Sequence, residues 1–143
     1  MPIKGYKSLC DCHAKVIVSK DKRGRQKHIA TNVSNSYVTH YQVDGNIMSS
    51  NNESKCDFIL INEDDERVFF IELKGSDILH ALEQLDATEK SLSNHLIPYN
   101  GREYRVVLNR VNTHDVRSAE FIRYKRKWGK FLIYQNGVLK ENI

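Results

Sequence analysis

Residues 56–74 read Cys-Asp-Phe-Ile-Leu-Ile-Asn-Glu-Asp-Asp-Glu-Arg-Val-Phe-Phe-Ile-Glu-Leu-Lys, two apolar runs on either side of an acidic stretch. Both runs are rich in β-branched and aromatic residues, so Cys56–Asn62 and Arg67–Lys74 read as strands. The acidic turn between them, Glu63 to Glu66, predicts an antiparallel pair. Fourteen residues, 58 to 71, separate Asp57 from Glu72, enough for a strand, a tight turn and the return strand. The two carboxylates are therefore expected beside each other on adjacent strands. Period-two geometry puts Glu72 and Lys74 on one face and Leu73 on the other.

Working outward, Gly75-Ser76-Asp77 breaks the strand, and Ser76 or Asp77 can cap a helix. Ile78, Leu82 and Leu85 recur at helical spacing, and the helix is expected to run to about His95. Tyr104–Val111 reads as the next strand, Asp115–Lys127 as a strongly basic helix, and Phe131–Tyr134 as a last strand ending at Asn136-Gly137. Upstream, Ala14–Ser19, His28–Val33 and Ser36–Val43 read as strands, with Asp44-Gly45 able to close a hairpin before Ile47 and Met48. Strands, then helix, strand, helix and strand imply an α/β fold, a mixed central β-sheet flanked by helices.

At 143 residues, with 40% hydrophobic and 28% charged residues, the chain fits one domain spanning 1–143 and excludes disorder, collagen and coiled coil. No apolar run reaches the roughly 20 residues that cross a bilayer, and the first residues lack the apolar stretch of a secretory signal. The expectation is an intracellular, cytoplasmic protein with no membrane partner. Three cysteines, Cys10, Cys12 and Cys56, suit a reducing compartment. Cys10-x-Cys12-His13 looks like half a metal site that no second pair completes, so these read as ordinary thiols.

Charge is unevenly distributed. Residues 1–52, 53–90 and 91–143 carry net +5, −7 and +6, so an acidic middle lies between two basic arms. That layout fits a basic cleft holding a polyanion around a carboxylate centre. Lys20, Lys22, Arg23, Arg25 and Lys27 in the first arm and Arg123, Lys125, Arg126, Lys127 and Lys130 in the second suit contact with phosphates, with Lys22, Arg23, Arg25, Arg123, Arg126 and Lys127 the leading candidates. Tyr124 and Trp128, four apart on the basic helix, can stack on bases or pack that helix onto the sheet, the commoner use.

Chemistry concentrates at Asp57 and Glu72-Leu73-Lys74. Paired carboxylates supply hard oxygen ligands for Mg²⁺, and a neighbouring amine can orient a water or stabilise charge on a phosphate oxygen. This set, with its spacing and following helix, resembles the PD-(D/E)xK nuclease superfamily, which includes many restriction enzymes and Holliday-junction resolvases. The resemblance covers about residues 36 to 111. It implies a restriction-endonuclease-like fold and a Mg²⁺-dependent phosphodiesterase, with Mn²⁺ able to substitute. It implies further that Asp57, Glu72 and the carbonyl of Leu73 hold the metal while Lys74 assists the attacking water. Cys56 stands where the motif often has proline. No Glu precedes Glu53, so Asp44 or Glu53 is left to supply any further carboxylate, although Asp44 also reads as a turn residue.

Asp77, His80, Gln84 and Thr88 form a polar stripe on the helix, with Gln84 near the place where some related nucleases carry a glutamine beside the active centre. A solvated helix face explains the stripe equally well, and His80 reads as a surface histidine. The expected partner is nucleic acid, DNA ahead of RNA, and a homodimer is among the assemblies open to the chain. The alternatives are a non-catalytic nucleic-acid-binding module or a partner subunit on the same fold.

Overall fold

A computed structural model describes residues 3–21, 24–43 and 56–143, and of Lys74 the backbone only. The expected hairpin at Asp44-Gly45 lies outside the described residues, as do Lys22, Arg23 and Glu53. The strands β4 (Phe58–Asn62) and β5 (Arg67–Lys74) form the expected antiparallel pair, with Phe58 opposite Ile71 and Asn62 opposite Arg67. The turn between them is fixed locally, since Asn62 Oδ1 accepts from the Asp65 N–H at 3.1 Å.

On one side β4 pairs antiparallel with β3 (Val38–Gln42), and on the other β5 pairs parallel with β6 (Gly101–Leu108). β6 in turn pairs parallel with β7 (Leu132–Asn136), completing a mixed sheet in the order β3-β4-β5-β6-β7. Parallel neighbours require crossovers. The helix α1 (Ile78–Ser91) joins β5 to β6, and α2 (Thr113–Val116) and α3 (Ala119–Trp128) join β6 to β7. Gly101 is needed where it is: a Cβ there would come within 2.6 Å of Arg67 Cγ on the neighbouring strand.

A second sheet accounts for the remaining strands. β1 (Val16–Lys20) and β2 (Lys27–Thr31) form an antiparallel hairpin, and β8 (Val138–Asn142) adds parallel to β2. Alternation along the large sheet divides the core. Ile59, Ile61, Val68, Phe70 and Val106 face α1 and α3, whereas Leu60, Phe69, Ile71, Leu73 and Val107 face Ile17, Ala30 and Leu139 of the small sheet. Among the described residues, helices therefore cover one face of the large sheet. The expectation of a sheet flanked by helices is corrected there, because β1, β2 and β8 form a layer of their own.

Polar side chains tie the two sheets together. Arg105 of β6 grips Glu141 of β8 through two hydrogen bonds of 2.7 and 2.9 Å, and His28 Nε2 lies 2.6 Å from the same carboxylate. Ser19 Oγ of β1 lies 2.9 Å from His40 Nε2 of β3.

Other departures have local causes. α1 stops at Ser91 and a 3-10 turn spans Ser93–His95. The expected helix over 115–127 is broken: Ser118 leaves helical geometry and its Oγ accepts from the Phe121 N–H at 3.2 Å, starting α3 afresh. β6 begins at Gly101, not Tyr104, and ends at Leu108, not Val111. β7 is not the last strand, because Gly137 at φ 78° reverses the chain into β8. No helix among the described residues is long and apolar enough to cross a membrane.

Candidate active site

Because β5, β6 and β7 are parallel, their carboxyl ends share one edge of the large sheet, and the ends of the other strands can be placed from the register. β4 begins at that edge and β3 ends there. So do the end of β1, the start of β2 and the start of β8. Backbone hydrogen bonds run along it: Lys27 N–H to Gly137 O at 3.1 Å, Gly137 N–H to Leu108 O at 2.8 Å, and Asn109 N–H to Gly75 O at 2.6 Å. Sequence positions far apart are thereby gathered beside the Glu72-Leu73-Lys74 end of β5.

Asp57 is held from three sides. Its carbonyl accepts from Val43 N–H at 2.9 Å, Oδ2 accepts from Leu73 N–H at 2.9 Å, and Cys56 before it donates its N–H to Thr88 Oγ1 of α1 at 2.7 Å. Extending the register of β4 and β5 by one step sets Asp57 opposite Glu72, as the spacing predicted. Ile59 and Phe70, each two residues away, face the helix layer, so Asp57 and Glu72 are placed on that face. Glu72 is 2% exposed and Asp57 half-buried. Burial pushes the Cys56 thiol up, and the Glu72 and Asp57 carboxylates beside it push in the same direction. An extended residue turns its N–H and C=O to the same edge, so the Leu73 carbonyl faces the β4 side, as its N–H does.

Lys74 is the last residue of β5; its side chain lies outside the described residues, as do Asp44, Lys22 and Arg23. Gln84 is half-buried on α1, one turn before Thr88. The expected polar stripe is split: Asp77 caps α1 by accepting from His80 N–H at 3.0 Å, whereas Thr88 is buried in the core. His80 is exposed, 3.9 Å from Glu83. Cys12 is exposed, Cys10 half-buried and Cys56 buried, all three as free thiols. Among the described residues, no three His, Cys, Asp or Glu side chains group as metal ligands.

Among the described residues the two basic arms lie in different layers of the fold. Arg25 is exposed in the β1–β2 connection at the site edge, while α3 packs in the helix layer across the large sheet. Arg123, Arg126 and Lys127 are exposed on α3, and Lys127 Nζ pairs with Asp86 at 3.1 Å. Tyr124 and Trp128 serve packing, Trp128 stacking on Tyr104 with ring centroids 4.0 Å apart. Arg110 was missed by the sequence reading. It is exposed, and its N–H donates to Gly75 O at 3.2 Å, one residue beyond Lys74. The signal for it is its place just after β6, legible only once β6 is known to run parallel to β5.

No protein-family model matches the chain, and no curated protein or solved structure matches it either.

Proposed function

We propose that the protein is a Mg²⁺-dependent nuclease, cutting DNA in preference to RNA, on a restriction-endonuclease-like sheet. The observation that carries this reading is the hydrogen bond from Leu73 N–H to Asp57 Oδ2, which fastens Asp57 to the Glu72-Leu73-Lys74 end of β5. Two carboxylates and a backbone carbonyl make an all-oxygen donor set, which fits a small divalent ion that keeps several waters. Asp57, Glu72 and the Leu73 carbonyl would hold it. When bound, Mg²⁺ supplies Lewis acidity and a lowered pKa for water.

The chain's own groups supply the remaining parts. Asp57 is oriented by the Leu73 amide, so its carboxylate meets a ligand without a search over rotamers. Glu72 brings a second carboxylate from a strand buried on both faces, which limits its movement. Lys74 brings a cation and a proton donor to the same strand end, suited to charge developing on a phosphate oxygen or to orienting the water. Arg25 and Arg110, exposed at the same edge, suit phosphates on either side of the bond to be cut.

Incubating the protein with plasmid, linear, single-stranded and branched DNA, with and without Mg²⁺, tests the reading. Cleavage should require Mg²⁺ or Mn²⁺ and should disappear in Asp57→Asn and Glu72→Gln. Asparagine keeps an acceptor for the Leu73 amide, so inactivity reports the missing charge and not a broken link between strands. Cleavage by either folded variant at the wild-type rate, or none by the wild type on any substrate with metal, sinks the assignment.

A further inference from the structure

The small sheet has an outer face that no other element among the described residues covers. Alternation turns Ile17, Ser19, His28, Ala30 and Leu139 inward, where they are buried. The opposite face carries Val16 and Val18, which are 54% and 45% exposed, half-buried Ile29 and Lys27, and exposed Lys20 and Lys140. No Asp or Glu stands at an outward position of β1, β2 or β8; Asp21 follows in the turn beyond β1, and Glu141 points inward to Arg105.

The cations are not scattered. Lys20 and Lys27 are directly opposite each other, the last pair of the β1–β2 ladder, and Lys140 is paired with Ile29, two residues further along β2. Like charges directly opposite on adjacent strands destabilise a sheet, so an anion lying across Lys20 and Lys27 removes a repulsion as well as making contacts. Neighbouring strands are about 4.8 Å apart and alternate residues about 6.7 Å apart along a strand, so the ammonium groups, on flexible stems, can meet successive phosphates. The Lys20–Lys27 pair is also the end of the sheet nearest the candidate site. Lys27 N–H bonds Gly137 O, Gly137 N–H bonds Leu108 O, and Arg110 follows two residues later against Gly75.

We infer that this face is a second nucleic-acid contact surface, on which Lys20, Lys27 and Lys140 hold the sugar-phosphate backbone of a strand that passes round the shared strand-end edge to reach Asp57 and Glu72 on the helix side of the large sheet. The choice of a nucleic acid as the polyanion rests on the nuclease reading; the surface itself does not use the metal or the carboxylates. Val16, Val18 and Ile29 give the strand an apolar floor, and the lysines give sequence-independent affinity.

The test is fluorescence anisotropy with a labelled duplex and a labelled single strand in metal-free buffer. A triple variant, Lys20→Gln, Lys27→Gln and Lys140→Gln, should bind at least tenfold more weakly. Its dependence of log K on log salt should flatten by about 0.9 for each duplex phosphate that is no longer neutralised. The all-arginine triple variant should bind like the parent, and melting temperature should be unchanged or higher in the glutamine variant. Removing a carboxylate from the site edge takes away a repulsion of phosphate, so Asp57→Asn and Glu72→Gln should bind no more weakly than wild type in this buffer. Affinity and salt slope equal to the parent's in the folded glutamine variant overturn the proposal. So does competition by polyglutamate as effective as by DNA of equal charge, which would point to an acidic protein on this face. A wild type that binds DNA through these lysines but never cleaves it leaves this surface standing and removes the nuclease reading, so the two failures are distinguishable.

Discussion

Asp57 finishes the hydrogen bonding of β3 and β5 with its carbonyl and one carboxylate oxygen, a duty that a substitution must separate from the metal-binding role proposed for its charge. Asp57→Ala leaves the Leu73 amide without its acceptor, at a cost of about 1–2 kcal/mol, so a loss of activity in that variant alone is ambiguous. Lys74 has a cleaner test. If its amine orients water or meets charge on the phosphate, Lys74→Ala should bind metal and DNA about as well as wild type. It should lose about 10²–10⁴-fold in single-turnover cleavage at saturating Mg²⁺. Unchanged cleavage there removes Lys74 from the mechanism. At this scale Asp57 and Glu72 were legible because both sit in one hairpin, whose spacing alone fixes which residues meet. Arg110 was not, since its place beside Gly75 depends on a parallel register set across a whole crossover.

Among the elements, α3 shows how one side chain redirects a run of good helix formers. Ser118 accepts from the Phe121 amide and starts the helix, which then turns Phe121, Tyr124 and Trp128 onto the sheet. Ser118→Ala should destabilise the protein by about 1 kcal/mol, and Ser118→Asp should restore the cap. Urea unfolding of the three proteins checks this; an alanine variant within about 0.2 kcal/mol of wild type, on the order of a surface substitution, would show that the cap contributes nothing. β5 was legible to the residue because its apolar run is bounded by an acidic turn on one side and by Gly75-Ser76 on the other. β8 was not: Val138-Leu139-Lys140-Glu141-Asn142 offers two apolar residues, and its strand state comes from pairing with β2. The break at Ser118 was missed because helical periodicity continues on both sides of it.

Across the whole molecule, the packing of the two sheets against each other carries a pH dependence. Burial, and the neighbouring His28, push His40 down to about 4 from an ordinary value of 6.5. The unfolded chain then takes up a proton that the native chain refuses, so stability falls as pH drops from 6.5 to 4, by up to roughly 3 kcal/mol. Glu141 loses its contribution later. Burial works to raise it, but hydrogen bonds from His28 and Arg105 more than offset this and hold it down at about 2, so its share is lost as pH falls from 4.5 to 2. Melting temperature followed against pH should therefore decline in two stages, and His40→Gln should abolish the first. A flat profile between pH 6.5 and 4, or the same decline in His40→Gln, contradicts this. The two-layer covering of the large sheet was not legible in sequence, because local patterning shows that a strand exists and not which sheet it joins.

The parallel pairing of β2 with β8 has a kinetic meaning. His28 and Glu141, joined across 2.6 Å, are 113 residues apart in the chain. The β1–β2 hairpin needs only its immediate neighbours, but its third strand arrives from the far end of the large sheet, by way of the reversal at Gly137. Such long-range closure must be made against chain entropy before it is rewarded, which slows folding. The strand that closes the ladder also delivers a second carboxylate to Arg105: Glu103, on the guanidinium's own strand, is already 3.0 Å away, and Glu141 of β8 completes the set from the other sheet.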